Sequence, residues 1–353
     1  MSEVFFRSAD DIGPDQTQMD QVRELFPKIS PVKEGDIVAV KIHPGEYGNT
    51  THVHPAVVRA VVDMVKEEGG LPFVTDTTVL YKGRRFNAPD LLLTASVNGF
   101  SQAGLGAPFI VADGLLGDDS VSIDIGGDVI DSITVAAAIA KADSMIMLSH
   151  CKGHPGSGFG GAIKNLGMGC LDKAGKTRVH EVGKPSIDLD NCIGCENCLD
   201  VCSWDALKME NGRVFVDHEL CRGELSCIKS CSQEAIIPPE DVSLRMQERL
   251  GEAAFGPIKA LPEKIGYINW AFDITAGCDC FSFSTPRFAG DVGILASHDP
   301  VAVDMASIDL INQKMQESCE KGCIHDVWCI DPTIHLKYAE SLGAGNMEYR
   351  LID

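Results

Sequence analysis

The chain has no basic stripe: 51 Asp and Glu outnumber 30 Lys and Arg, for a formal net charge of −21. Holding a phosphate backbone requires clustered cations that displace counterions, so this balance argues against a nucleic-acid partner. Aromatic residues are scarce, at 6%, while glycine is frequent, with 35 residues; together these suit an α/β architecture with many tight loops. A long apolar run is missing as well. The most apolar stretch, Ile133–Leu148, is interrupted by Lys141 and Asp143, and Met1–Asp20 has neither the basic start nor the apolar core of a signal peptide. A soluble, cytoplasmic protein without a membrane span is expected.

Cysteine is the residue in excess. Of the 14 cysteines, seven fall between Cys192 and Cys231, a clustering that favours metal ligation over disulfides in a cytosolic chain. At 353 residues the chain is long enough for one large domain with an insert, or for two domains.

Outside the cysteine cluster, strand and helix signals alternate. Asp36–Ile42 reads as a buried strand, Val57–Glu68 as a helix ended by Gly69–Gly70, and Leu71–Asp76 as the next strand. Further on, the pattern predicts a helix over Thr134–Lys141, strands over Ser144–Ser149 and Val292–Ala296, and a helix over Val301–Gln313. Such alternation predicts a mostly parallel sheet covered by helices. It breaks between Pro185 and Pro238–Pro239. The expected organisation is therefore an α/β domain begun in residues 1–184, interrupted by a cysteine-rich α+β module over 185–240, and completed by 241–353.

Within the module two halves repeat at an offset of about 29 residues: Cys192 matches Cys221, Cys198 matches Cys227, and Cys202 matches Cys231. Asn211–Gly212 between them is a hairpin turn signal. The first half reads C-x2-C-x2-C-x3-C, the bacterial ferredoxin spacing, in which the fourth cysteine ligates the other cluster. Crossed ligation predicts a [4Fe-4S] cluster on Cys192, Cys195, Cys198 and Cys231. The second half has Glu224 where its twin has Cys195, leaving Cys202, Cys221 and Cys227. Three readings stay open: a second [4Fe-4S] cluster with a carboxylate or solvent on one iron, a [3Fe-4S] cluster, or no second cluster. Cys278 or Cys280 folding back is a further source of the missing ligand.

After the strand ending near Ser149 comes a loop dense in glycine and cations, with Lys152, His154, Gly158, Gly160, Gly161, Lys164 and Asn165. A glycine-rich turn after a strand presents backbone N–H groups to an anion, and open α/β sheets place ligands at that end. The bland reading is a loop whose glycines permit close packing and whose lysines are solvated. On the functional reading Lys164 and Lys152 bind an anionic group, His154 is a general acid, and Gly158, Gly160, Gly161 and Asn165 contact the ligand. Lys41 and His43 end another strand; on the functional reading they enter the same crevice, while a lone Lys or His at a strand end is by default a surface residue. Cys319, Cys323, His325 and Cys329 offer an irregular zinc or iron spacing, with reduced free cysteines as the default.

Ser149–Gly169, Cys278-Asp279-Cys280 and Asp291–Asp304, with the ending His335–Leu351, resemble domain-of-unknown-function family 362, in its branch with a ferredoxin insert. The resemblance implies an α/β iron–sulfur protein of unassigned chemistry, and Glu224 departs from the eight-cysteine insert that members often show. Gly160–Lys164 is also faintly similar to the loop that carries the nickel pincer cofactor in lactate racemases, with the lysine displaced by one residue. That likeness marks Lys164 as facing a site and is no evidence for nickel.

Three functions follow. The first is a redox enzyme in which the insert passes single electrons to a substrate or cofactor at loop 153–169, in an anaerobic setting. The second is an electron carrier or accessory subunit docking to a larger oxidoreductase, which an acidic surface suits. The third is an iron–sulfur sensor. A protein electron donor or acceptor and a small anionic ligand are the expected partners; flavin carries no motif here.

Overall fold

The computed structural model describes residues 1–318 and 322–353. Eight strands form the central sheet: β1 (Ser2–Ser8), β2 (Ile37–Lys41), β3 (Leu71–Asp76), β4 (Phe109–Val111), β5 (Ser144–His150), β6 (Ile265–Ala271), β7 (Gly293–Ser297) and β8 (Tyr349–Ile352). Their order is β8-β1-β7-β6-β5-β2-β3-β4. Strand β7 runs antiparallel to both neighbours, and every other pairing is parallel. The sheet is thus mostly parallel.

Side chains alternate between two cores, as a pleated strand buried on both faces requires. Met145 and Met147 of β5 pack on one face with Ala39 and Leu295, while Ile146 and Leu148 pack on the other with Val38 and Ile294. The second face is covered by α1 (Pro55–Glu67), whose buried Val57, Val58, Val61, Val62 and Val65 recur at helical spacing. Pro55 opens α1 where a missing N–H costs nothing, and His54 Nδ1 accepts from the Ala56 N–H at 3.3 Å. The first face is covered in part by α5 (Pro300–Ser318), numbered after α2 (Lys173–His180), α3 (Ser226–Ser230) and α4 (Val242–Ala253).

One expected element differs. Thr134–Lys141 is not a helix: Ser132–Ala136 is a strand paired antiparallel with Ser120–Asp124, followed by the short helix Ala137–Ala140. Ile133 and Val135 are buried while Ser132 and Thr134 are less so, so period-two burial and β-branching won over the helical reading of a continuous apolar run.

Residues 185–240 leave and rejoin the body through the paired strands Ser186–Ile187 and Ile236–Ile237. A hairpin joins Leu207–Glu210 to Arg213–Val216 across Asn211 and Gly212, both with positive φ. Leu207, Val214, Ala235 and Ile236 form a small core with Cys192 and Cys198.

Candidate functional site

The cysteines of residues 185–240 gather around two open cavities. Cys192, Cys195, Cys198 and Cys231 line one of about 360 Å³; Cys202, Cys221, Cys227 and Glu224 line the other, of about 390 Å³. The partition is the crossed one, with Cys231 beside the first half and Cys202 beside the second. Backbone N–H groups point at the sulfurs, as that of Ala235 does at Cys231 Sγ (3.3 Å), the setting that tunes iron–sulfur centres. Burial, then the neighbouring Cys221 charge, pushes the Cys227 thiol up to about 12, a repulsion that bound iron relieves. The first set fits a four-thiolate cluster.

Glu224 lines the second cavity, and neither Cys278 nor Cys280 does. Its carboxylate accepts from the Ser226 hydroxyl at 2.6 Å and the Ser226 N–H at 3.3 Å, while burial raises its pKa. The second set therefore supplies three thiolates and a carboxyl group held by its own turn.

The module has a definite orientation. Trp204 meets Phe86 edge-on at 5.8 Å and donates its indole N–H to the Leu80 carbonyl at 3.0 Å. Lys229 of α3 lies over the Phe281 ring at 4.8 Å. At Gly223 (φ 69°) a Cβ would stand 1.9 Å from the His180 carbonyl oxygen, so only glycine lets the second-cavity loop close on the end of α2. On the other side, Cys195 is exposed and Ile193 is 65% exposed. The second cavity faces the body and the first faces solvent.

Where the module meets the body, the C-terminal ends of β2, β3, β5 and β6, the place of the ligand crevice in open α/β sheets, bring together a cluster of buried charged side chains. Lys41, fully buried, donates to Asp76 Oδ1 (2.9 Å), Asn165 Oδ1 (2.6 Å) and the Ile42 carbonyl (2.8 Å). Arg85 donates to the other Asp76 oxygen at 3.1 Å and to Glu46 at 3.4 Å. Asp279 accepts from His150 Nδ1 at 2.9 Å and pairs with Lys152 at 3.1 Å; these cations hold its carboxyl well below the usual range despite burial. Lys152 also donates to the His150 carbonyl at 2.9 Å. His43 stands beside the network, with Nδ1 accepting from the Gly45 N–H at 3.1 Å, and burial lowers its pKa.

Within the glycine-rich loop, Lys152–His154 and Gly158–Gly160 pair as a short hairpin. The N–H groups of Ala162 and Ile163, where an anion cradle is expected, already hold an anion of the chain itself: Asp304 accepts from them at 2.7 and 2.8 Å, and from Asn269 at 2.7 Å. A Cβ at Gly161 would stand 2.3 Å from that carboxylate. Gly161 thus serves close packing, and Asn165 holds Lys41 and Ser149.

Lys164 differs from Lys41, Arg85 and Lys152. Among the described residues it pairs with no carboxylate, and its Nζ lies 3.8 Å from Cys278 Sγ. His154 Nδ1 accepts from the N–H groups of Gly156 (3.1 Å) and Ser157 (3.2 Å). Burial lowers its pKa to about 4, so at neutral pH the ring is neutral, with its proton on Nε2. Cys323, His325 and Cys329 form no such group: the Cys323 thiol turns to Asp326 at 3.4 Å and Cys329 is exposed. Cys319 lies outside the described residues.

Sequence reasoning does not single out Glu46, Asp76 or Arg85, and it quotes Asp279 and Asp304 only within longer motifs. Asp76 ends the expected strand Leu71–Asp76, the signal that finds it; Arg85 offers none.

A family profile, Domain of unknown function (DUF362), matches residues 38–309. The chain belongs to this family. Besides the family match, its cysteine-rich part is similar to a "Ferredoxin" of Pyrobaculum islandicum, 30% identical over 93 residues, covering 26% of this chain and 87% of the relative. It is also 36% identical over 62 residues to "Pyruvate synthase subunit PorD" of Methanocaldococcus jannaschii, covering 17% of this chain and 72% of that one. The cysteine-rich segment of this DUF362 protein is thus ferredoxin-like. Among solved structures, the lactate racemase apoprotein of Thermoanaerobacterium thermosaccharolyticum aligns at TM-score 0.42 and 9% identity, covering 89% of this chain and 58% of that one. No helix among the described residues is long and apolar enough to cross a membrane.

Proposed function

We propose that the protein is an iron–sulfur oxidoreductase in which the ferredoxin-like module passes single electrons to an anionic substrate or cofactor at loop 153–169. The observation that carries this reading is the orientation of the module: the Cys195 loop is open to a protein donor, and Lys229 of the helix that carries Cys227 lies over Phe281, next to the Cys278–Cys280 turn. When bound, the clusters supply one-electron transfer. Lys164 is the cation left to receive the anion, because Lys41, Arg85 and Lys152 are neutralised by Asp76, Glu46 and Asp279, and buried Lys176 directs its three donors to the Thr77 hydroxyl and the Thr78 and Leu171 carbonyls. His154, neutral in the fold, orients a proton at Nε2 towards the same point. The second set of ligands, Cys202, Cys221 and Cys227 with Glu224, holds either a [3Fe-4S] cluster or a [4Fe-4S] cluster with an oxygen ligand.

Lys164→Ala tests the assignment. Loss of electron transfer out of the reduced module, with iron content unchanged, supports it; loss of iron as well makes the loop structural. The similarity to PorD favours a second reading, an accessory subunit that carries electrons for a larger oxidoreductase. Stable co-purification with such an enzyme, and a cluster spectrum blind to changes in the crevice, would select that reading.

A further inference from the structure

The turn Cys278-Asp279-Cys280 follows β6 and closes the crevice beside α3. Its two sulfurs and a ring nitrogen of His154 lie within 4.8 Å of one another. The Cys280 N–H donates to Cys278 Sγ at 3.4 Å, and the Lys164 ammonium reaches the same sulfur. Cys278 is 1% exposed, whereas Cys280 is half-buried; the next aromatic residues in the chain, Phe281 and the 57% exposed Phe283, stack at 5.3 Å.

One histidine and two cysteines suggest a mononuclear metal, and two features of the turn oppose it. His154 already accepts backbone N–H groups at Nδ1, so Nε2 keeps its proton and has no lone pair to offer. Lys164 also places a full positive charge where a divalent ion would sit. Every one of these donors instead stabilises negative charge on Cys278. Its pKa falls well below the usual thiol value, chiefly through the Cys280 hydrogen bond and then Lys164 and His154, while that of Cys280, which keeps the proton, rises. A thiolate sharing a proton with a second thiol is the reduced form of a dithiol couple.

We propose that Cys278 and Cys280 are a redox-active dithiol that reduces a small disulfide substrate entering the crevice. The proton of Cys280 passes to Cys278. The half-buried Cys280 sulfur then attacks the substrate disulfide, breaking its S–S bond and releasing one substrate thiolate. Cys278 gives its proton to that thiolate and attacks the Cys280 sulfur, breaking the mixed disulfide and releasing the second thiolate. The substrate has gained two electrons and the chain holds a Cys278–Cys280 disulfide. Two electrons, arriving singly through the ferredoxin-like module, and one proton restore the thiolate–thiol pair. The source of electrons rests on the function proposed above; the dithiol itself does not.

The test is a redox titration of the full-length, iron-loaded protein in dithiothreitol buffers, with maleimide trapping and peptide mass spectrometry. The expected result is that Cys278 and Cys280 lose label together along a two-electron curve, with a disulfide-linked peptide at the oxidised end that Cys280→Ser abolishes. Labelling of both across the whole range overturns the proposal, as does stoichiometric zinc or other non-cluster metal that Cys278→Ser removes. In a second arm the oxidised protein receives dithionite, with Cys227→Ser as control. Recovery of the dithiol in the wild type and not in the control supports the electron route. Recovery in dithiothreitol alone upholds the dithiol and overturns the route.

Discussion

Lys229 Nζ stands 4.8 Å from the centre of the Phe281 ring, joining the helix that carries Cys227 to the turn that carries Cys280. Lys229 is exposed, and an exposed cation–π contact contributes about 0.5–1 kcal/mol. That is too little to anchor the module by itself. Lys229→Ala is expected to change the unfolding free energy by no more than about 1 kcal/mol, with iron content unchanged, as checked by urea denaturation and iron analysis.

The two cysteine sets respond differently to substitution. Cys195→Ser removes a thiolate from the complete set and is expected to lower iron and sulfide by up to one cluster's worth. Glu224→Cys restores the ferredoxin spacing in the second set. It is expected to raise cluster stability towards oxygen, read as slower bleaching of the visible absorption.

Asp304 and Gly161 meet on one face of the sheet. A methyl group on Gly161 would meet the carboxylate at 2.3 Å, and overpacking of this kind costs about 1–3 kcal/mol. Gly161→Ala should lower the urea midpoint, and Gly161→Ala combined with Asp304→Ala should fall short of the sum of the two single losses.

Burial of the crevice cations sets a larger cost. Lys41→Met leaves Asp76 fully buried with one partner fewer, and breaking such a pair costs about 3–5 kcal/mol. The expected outcome is a marked loss of thermal stability, partly recovered when Asp76→Asn is added.

Acid lability follows from the buried histidines. Burial lowers the folded pKa of His335 from 6.5 to about 3, so below 6.5 the unfolded chain takes up the proton that the fold refuses. Stability is complete above 6.5 and falls as pH drops towards about 3, at about 1.4 kcal/mol per pH unit for this group. His154 and His180, each lowered to about 4, act in the same sense. Melting temperatures measured from pH 7 to 5 should fall steeply, and less steeply in His335→Gln.

What was legible in the sequence was local. Strands such as Ile37–Lys41 announce themselves because both faces are buried, and the first cysteine set because three of its members lie in one tight loop. The crevice was not legible, because its ion pairs join residues far apart: Lys41 to Asp76, Arg85 to Glu46, Lys152 to Asp279. For the same reason the glycine-rich loop read as an empty anion cradle, while the carboxylate that fills it stands 142 positions after Ala162, at Asp304.

The central claim is that the second cluster site, and not the first, is coupled to the crevice. Low-temperature electron paramagnetic resonance during a potentiometric titration of anaerobically purified protein tests it directly, with Lys164→Ala beside the wild type. Removing a positive charge near a cluster makes its reduction harder. The account predicts two unequal signals, with only the one abolished by Cys227→Ser moving to a more negative potential in Lys164→Ala. A single cluster, or two signals that shift equally or not at all, would contradict it.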